Sequence, residues 1–184
     1  MTLFPDFYDT DRTQQVAILL LNGWGYNFFR EEGQLRADSA PIRGKTSDIL
    51  GALRKAVTDA EQSYRLATLP ARTRNSLEAD ASAYADASQL EALGQELGRV
   101  ETLNRTAPVP ETDRMRQRYR NEADLLAKLV AADQRLVAQA EMVRHRFQQQ
   151  PVTGEWLLGH LADVKAAIAG LAVSIRERKN LPTF

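Results

Sequence analysis

Cysteine is absent from the 184 residues, which removes disulfides, thiolate nucleophiles, zinc knuckles and iron–sulfur ligation together. An excess of charge is absent as well. The 24 basic and 24 acidic residues cancel, so no overall field draws the chain to nucleic acid or to an anionic membrane. No apolar run approaches the roughly 18–20 residues of a spanning helix. The first apolar stretch, Val16 to Leu21, follows Asp6, Asp9 and Asp11 rather than the basic residues of a secretory leader. A cytoplasmic chain without membrane insertion is therefore expected. A G-x-S-x-G elbow is also missing, and the many acidic residues single out no carboxylate pair for acid–base work. The expectation is a non-enzymatic protein with no cofactor and no metal.

What is present is ordinary globular usage, with 43% hydrophobic and 26% charged residues, enough for one cored domain over 1–184. Residues 1–9 carry Phe4, Phe7 and Tyr8 without a period and read as an arm that docks its aromatics on the body. Thr10 with Asp11 behind it predicts a helix start, and Asn22-Gly23 its end. Trp24, Tyr26 and Phe28 then alternate with Gly25, Asn27 and Phe29, a strand-like period of two. The preferred reading is a helix followed by a small β-hairpin that returns near Leu35. Two others stay open: a hairpin turning at Asn22-Gly23, and one helix running across both glycines. Residues 1–45 thus form an N-terminal arm, helix and candidate hairpin ahead of a helical bundle over 46–184.

From Thr46 the apolar residues Ile49, Leu50, Leu53, Val57, Ala60 and Tyr64 follow three/four spacing, with Thr46 or Ser47 as cap and Pro70 as breaker. Asn75-Ser76 restarts a helix with Leu77, Tyr84, Leu90, Leu93, Leu97 and Val100 on one stripe. After the stiff NRTAPVP turn, residues 111–149 contain neither Gly nor Pro. They predict one long helix whose stripe is Met115, Tyr119, Leu126, Leu129, Leu136, Ala140, Val143 and Phe147. A helix of that length, about 55–60 Å, is expected to pair antiparallel with the one before it, making a coiled-coil-like hairpin over 73–149. Thr153 caps a last helix carrying Leu157, Leu161, Val164, Ile168, Leu171 and Ile175. The fold class is mainly α, a helical bundle.

Four groups of residues invite a functional reading. Gly44-Lys45-Thr46 resembles the end of a phosphate-binding loop, but Ser39 stands where its first glycine belongs and Pro41 stiffens the approach. The expected structure there is a surface loop and a helix N-cap, with Arg43 and Lys45 available to anions. Arg114, Arg116, Arg118 and Arg120 form two pairs on different helix faces, diluted by neighbouring acids; with Arg43 and Lys45 they are the candidate nucleic-acid contacts. Glu141 with His145, and His160 with Asp163, lack the spacing of a two-helix metal site. The apolar residues Trp24, Tyr26, Phe28, Leu126, Leu129, Leu136 and Val143 are the candidate interaction surface. The 111–149 stripe is longer than one short chain is expected to cover. That favours a protein–protein interaction or assembly role with a protein partner or a second copy as homodimer. The alternative is a nucleic-acid-associated helical protein.

Overall fold

The computed structural model describes residues 3–4, 6–24, 32–69, 81–107 and 122–181, with side chains from 41 onward in the second helix and from 128 onward in the fourth. Among these residues there are six helices and no strand: α1 Thr10–Gly23, α2 Glu32–Thr68, α3 Ala81–Arg105, α4 Glu122–Gln148, α5 Gly154–Gly159 and α6 Leu161–Asn180.

Several boundaries differ from expectation. The cap of α1 is Asp9, not Thr10: its carboxylate accepts from the amides of Asp11 and Arg12, at 2.9 and 3.2 Å. A charged acceptor facing the free amides of a first turn outweighs a hydroxyl one residue later. The returning strand near Leu35 is replaced by helix, because α2 already begins at Glu32; Tyr26 and Phe28 lie outside the described residues. Thr46 is consequently not a cap. Its hydroxyl sits inside α2 and donates to Ile42 O at 2.9 Å. Pro41 lies within the same helix, where proline removes one backbone bond and ordinarily breaks the helix. Packing overrides that preference. Ile42, Thr46, Ser47, Ile49, Leu50, Leu53, Val57, Ala60 and Tyr64 are all buried, so the apolar stripe read from Ile49 onward extends back through Ile42.

The longest described helix is therefore α2, about 55 Å at 1.5 Å per residue. Of the expected 111–149 helix, Glu122 to Gln148 is described and is helical. The expected hairpin of α3 with α4 is not formed: among the described residues the two helices do not pack on each other. Instead α3 packs chiefly on α2, while α4 packs first on α2 and then on α1 and α6. The α2–α3 and α4–α6 contacts are antiparallel. Asn104 at the end of α3 bonds Arg43 and Ser47 near the start of α2, while Tyr64 at the far end of α2 reaches Asp86. Likewise Gln139 of α4 meets Ser174 of α6, and Asp133 meets Arg178. The pairs stack with α2 on α4 and α3 on α6, which puts α3 and α4 on a diagonal; α1 flanks α4.

The last apolar segment is two helices rather than one. Gly154–Gly159 stops at His160, whose amide returns to Trp156 O and Leu157 O before Leu161 starts α6. The Thr153 cap holds, its Oγ1 accepting from the Trp156 amide. The break lets α5 close one end of the bundle, where Gly154 sits so close to Tyr64 that an added Cβ would lie 2.6 Å from it.

Docking of the N-terminal arm is as expected for Phe7, which is buried, whereas Tyr8 turns largely to solvent. Phe7 enters a notch over Gly170, and a Cβ there would stand 2.5 Å from its ring. Leu3 N donates to Asp163 Oδ2 at 3.2 Å, and Gln139 Nε2 to Phe7 O at the same distance. Replacing Gly170 with Ala should therefore cost about 1–3 kcal/mol through overpacking, read by urea unfolding. Combining it with Phe7→Leu should leave less additional loss than the two single changes summed, because each acts on the same contact.

Candidate functional site

The polar residues that the fold takes out of water collect at the end of the bundle where α2 begins and α3 and α6 finish. Asp133 and Arg178 are the deepest: their side chains are 0% and 1% exposed, and the guanidinium holds the carboxylate with both Nε and Nη2. A fork-on-carboxylate pair of this kind joins α4 to α6 with fixed geometry. Arg43 lies near enough to feel both charges. Burial first, then the like charge of Arg178, lowers its pKa from the usual arginine range, against the opposing pull of Asp133. Its Nη1 donates to Ala107 O at 2.6 Å, just past the C-terminus of α3, where a carbonyl has no helical partner.

Asn104 completes the group. Fully buried, it donates through Nδ2 to Arg43 O at 3.0 Å and Ser47 Oγ at 2.8 Å. Two atoms remain without a partner behind the surface here, Arg43 Nε and Asn104 Oδ1. A cleft of about 310 Å³ opens beside them, lined by Arg43, Gly44, Ser47, Asp48, Asn104 and Arg105. Further into the bundle a second chain of bonds runs from Ser174 Oγ to Gln139 Oε1 and from Gln139 Nε2 to Phe7 O, tying α6, α4 and the arm together.

The residues singled out from sequence are dispersed by the fold. Arg43 is buried, 7% exposed, so it is not a surface contact for phosphate; Lys45 is exposed, with its Nζ 5.9 Å from the ring centre of Trp24. Gly44 and Lys45 lie inside α2, where backbone amides are engaged in the helix, and the anion-binding N-cap expected there does not exist. Arg114, Arg116, Arg118 and Arg120 lie outside the described residues, as does the Leu126 side chain. Leu129, Leu136 and Val143 are core residues, covered by this chain's own helices. Trp24 is half-buried against the same core.

Six other described arginines are matched to acids: Arg54 and Arg105 to Glu101, Arg65 to Glu61 and Glu91, Arg99 to Glu96, Arg135 to Glu177, and Arg144 to Glu141. His145 is exposed beside Gln149, and His160 Nδ1 lies 2.8 Å from Trp156 O with its ring against that indole. Among the described residues no three His, Asp or Glu gather to hold a metal ion. None of these helices is long and apolar enough to cross a membrane.

Sequence reading misses the Asp133–Arg178 pair and Asn104. Asp133 and Gln139 stand three before and three after Leu136 on an apolar helix, and a polar residue at a core position signals a buried partner. Nothing local says which residue that partner is. Comparison with known proteins supplies no guide: no family model, no curated protein and no solved structure matches the chain.

Removing one member of the pair takes a charge-assisted partner away from a buried charge. Asp133→Ala should destabilise by about 3–5 kcal/mol, whereas the double change Asp133→Leu with Arg178→Met, which replaces both charges by apolar side chains, should lose far less. Chemical denaturation of the native chain and the two variants measures both effects.

Proposed function

We propose that this is a non-enzymatic helical interaction protein, an adaptor, assembly subunit or regulator, and that its contact face is the outer side of α1. One observation carries the reading. Ile18 and Leu19 stand side by side on α1 at 43% and 72% exposed, while Thr13, Ala17 and Leu21 bury the opposite side of the helix against the bundle. Two adjacent large apolar side chains on an otherwise polar outer side (Asp11, Gln15, Asn22) are more apolar surface than the helix uses within its own chain. The α4 stripe does not supply the surface, because its described residues are internal.

The occupant proposed is a second copy of the chain, pairing α1 with α1 about a twofold axis. Balanced charge supports this, since 24 basic and 24 acidic residues create no net repulsion between copies. Covering each of these side chains is worth about 1.5–3 kcal/mol at most, so a weak, concentration-dependent dimer is the expected form. The nucleic-acid alternative rests on Lys45, Arg114, Arg116, Arg118 and Arg120, now that Arg43 is internal.

Light scattering behind a sizing column, over a range of loading concentrations, tests the proposal. The native chain should pass from monomer to dimer with a midpoint that barely responds to salt, and Leu19→Glu should stay monomeric with an unchanged circular dichroism spectrum. A native chain that is monomeric throughout would overturn dimerisation. Elution with nucleic-acid absorbance that high salt strips away would favour the alternative.

A further inference from the structure

Arg43 and Asn104 present a donor and an acceptor without a partner among the described residues. Among the described residues no carboxylate forms an ion pair with Arg43; Nη1 is engaged by Ala107 O, and Nε, sealed from solvent, bonds nothing. Asn104 donates its amide protons to Arg43 O and Ser47 Oγ, and its Oδ1, equally sealed, accepts nothing. Buried polar groups are ordinarily satisfied, and a guanidinium is satisfied best by an anion. The two residues are tied together through the bond from the Asn104 amide to the Arg43 backbone carbonyl, and both line one cleft.

Both residues line the same cleft of about 310 Å³, which falls at the small end of ligand sites. Its wall at Gly44 is open, since a Cβ there would meet nothing within 4 Å. The rim carries Asp48 and Arg105, both exposed. Arg105 is held there by its bond to Glu101 at 2.9 Å. Because the two atoms are enclosed, a ligand reaches them only when these rim side chains turn aside.

The chemistry of the lining selects an occupant. A guanidinium edge suits a planar carboxylate, which accepts from it along two directions. The lone Asn104 oxygen calls for a hydroxyl or ammonium donor within a bond or two of that carboxylate. Asp48 at the rim disfavours a second negative charge on the ligand. We propose that the cleft between α2 and the end of α3 binds a small α-hydroxy- or α-amino-carboxylate, its carboxylate accepting from Arg43 and its hydroxyl or ammonium donating to Asn104 Oδ1. The lowered pKa of the Arg43 guanidinium, caused by burial and by Arg178, marks a cation that an incoming carboxylate stabilises. This site is separate from the α1 face, and neither depends on the other.

The test follows the arginine Nε–H signals of the full chain by NMR during titration with glycolate, glycine, acetate and inorganic phosphate. Glycolate or glycine should shift the Arg43 signal saturably, and which of the two binds identifies the donor that Asn104 takes. Acetate, which lacks that donor, should bind about tenfold more weakly. Gly44→Leu should block the cleft while leaving the fold unchanged by circular dichroism and melting, because the added side chain enters open space. Arg43→Lys, which loses the planar fork, should weaken binding about tenfold where it folds. No saturable shift with either ligand at about 0.1 M overturns the proposal. So does a shift that survives Gly44→Leu or that phosphate reproduces equally, since either is a surface anion effect. Acetate binding as tight as glycolate and glycine removes Asn104 from the site.

Discussion

The enclosure of the middle of α4, over Leu136 to Ala140, is the constraint from which much of the arrangement follows. Leu136, Val137, Ala138, Gln139 and Ala140 are buried in succession, a pattern no one-faced helix allows. Three neighbours produce it: α2, α6 and α1. On its inward faces α4 carries two polar side chains that water does not reach, Asp133 and Gln139. Asp133 is met by Arg178, and Gln139 is met on one side by Ser174 and on the other by the Phe7 carbonyl. These bonds specify which part of α6 faces which part of α4, and where the N-terminal arm lies. Apolar contacts alone tolerate sliding by a turn; a buried fork-on-carboxylate pair does not, because displacement strands both charges.

The two ends of the bundle are consequently unlike. At the α5 end, Tyr64 packs on Gly154, and Phe147 and Trp156 meet edge to face with centroids 5.6 Å apart. That end is closed by aromatic packing. The opposite end is polar, built from Arg43, Ser47, Asn104, Asp133 and Arg178, and it is there that Arg43 and Asn104 leave bonding incomplete. Incomplete bonding beside a cleft, and an apolar pair on the outside of α1, are two of the places among the described residues where more is offered than folding uses.

Much of this is legible in the residues. The stripes Ile49 to Tyr64, Leu90 to Val100, Leu129 to Phe147 and Val164 to Ile175 all become core faces, because three/four spacing reports helix geometry directly. Stop signals read well too: α1 ends at Gly23 and α2 ends before Pro70. Start signals read less well. Pro41 and Gly44 suggest a loop that packing turns into helix, and the Thr46 hydroxyl has the look of a cap but makes an internal bond to Ile42. The candidate site is legible only as single letters. Arg43 stands out in the sequence for a charge expected to face solvent, and Asn104 only as the first residue of a turn.

Sequence by itself determined the class of structure: helices, their inward faces, and the absence of thiol chemistry and of a spanning segment among them. Local spacing and composition suffice for that, since each helix reports its own buried side. Which helix pairs with which was decided only in the tertiary structure. The α3 and α4 stripes are expected to face each other, yet α3 packs chiefly on α2, and α4 on α2, α1 and α6. The choice depends on polar matches across 35 to 64 residues, Ser174 with Gln139, Arg178 with Asp133, Asn104 with Ser47 and Arg43 with Ala107. Such pairs carry no periodic signature. Their energy exists only once water has been excluded from both partners at the same time.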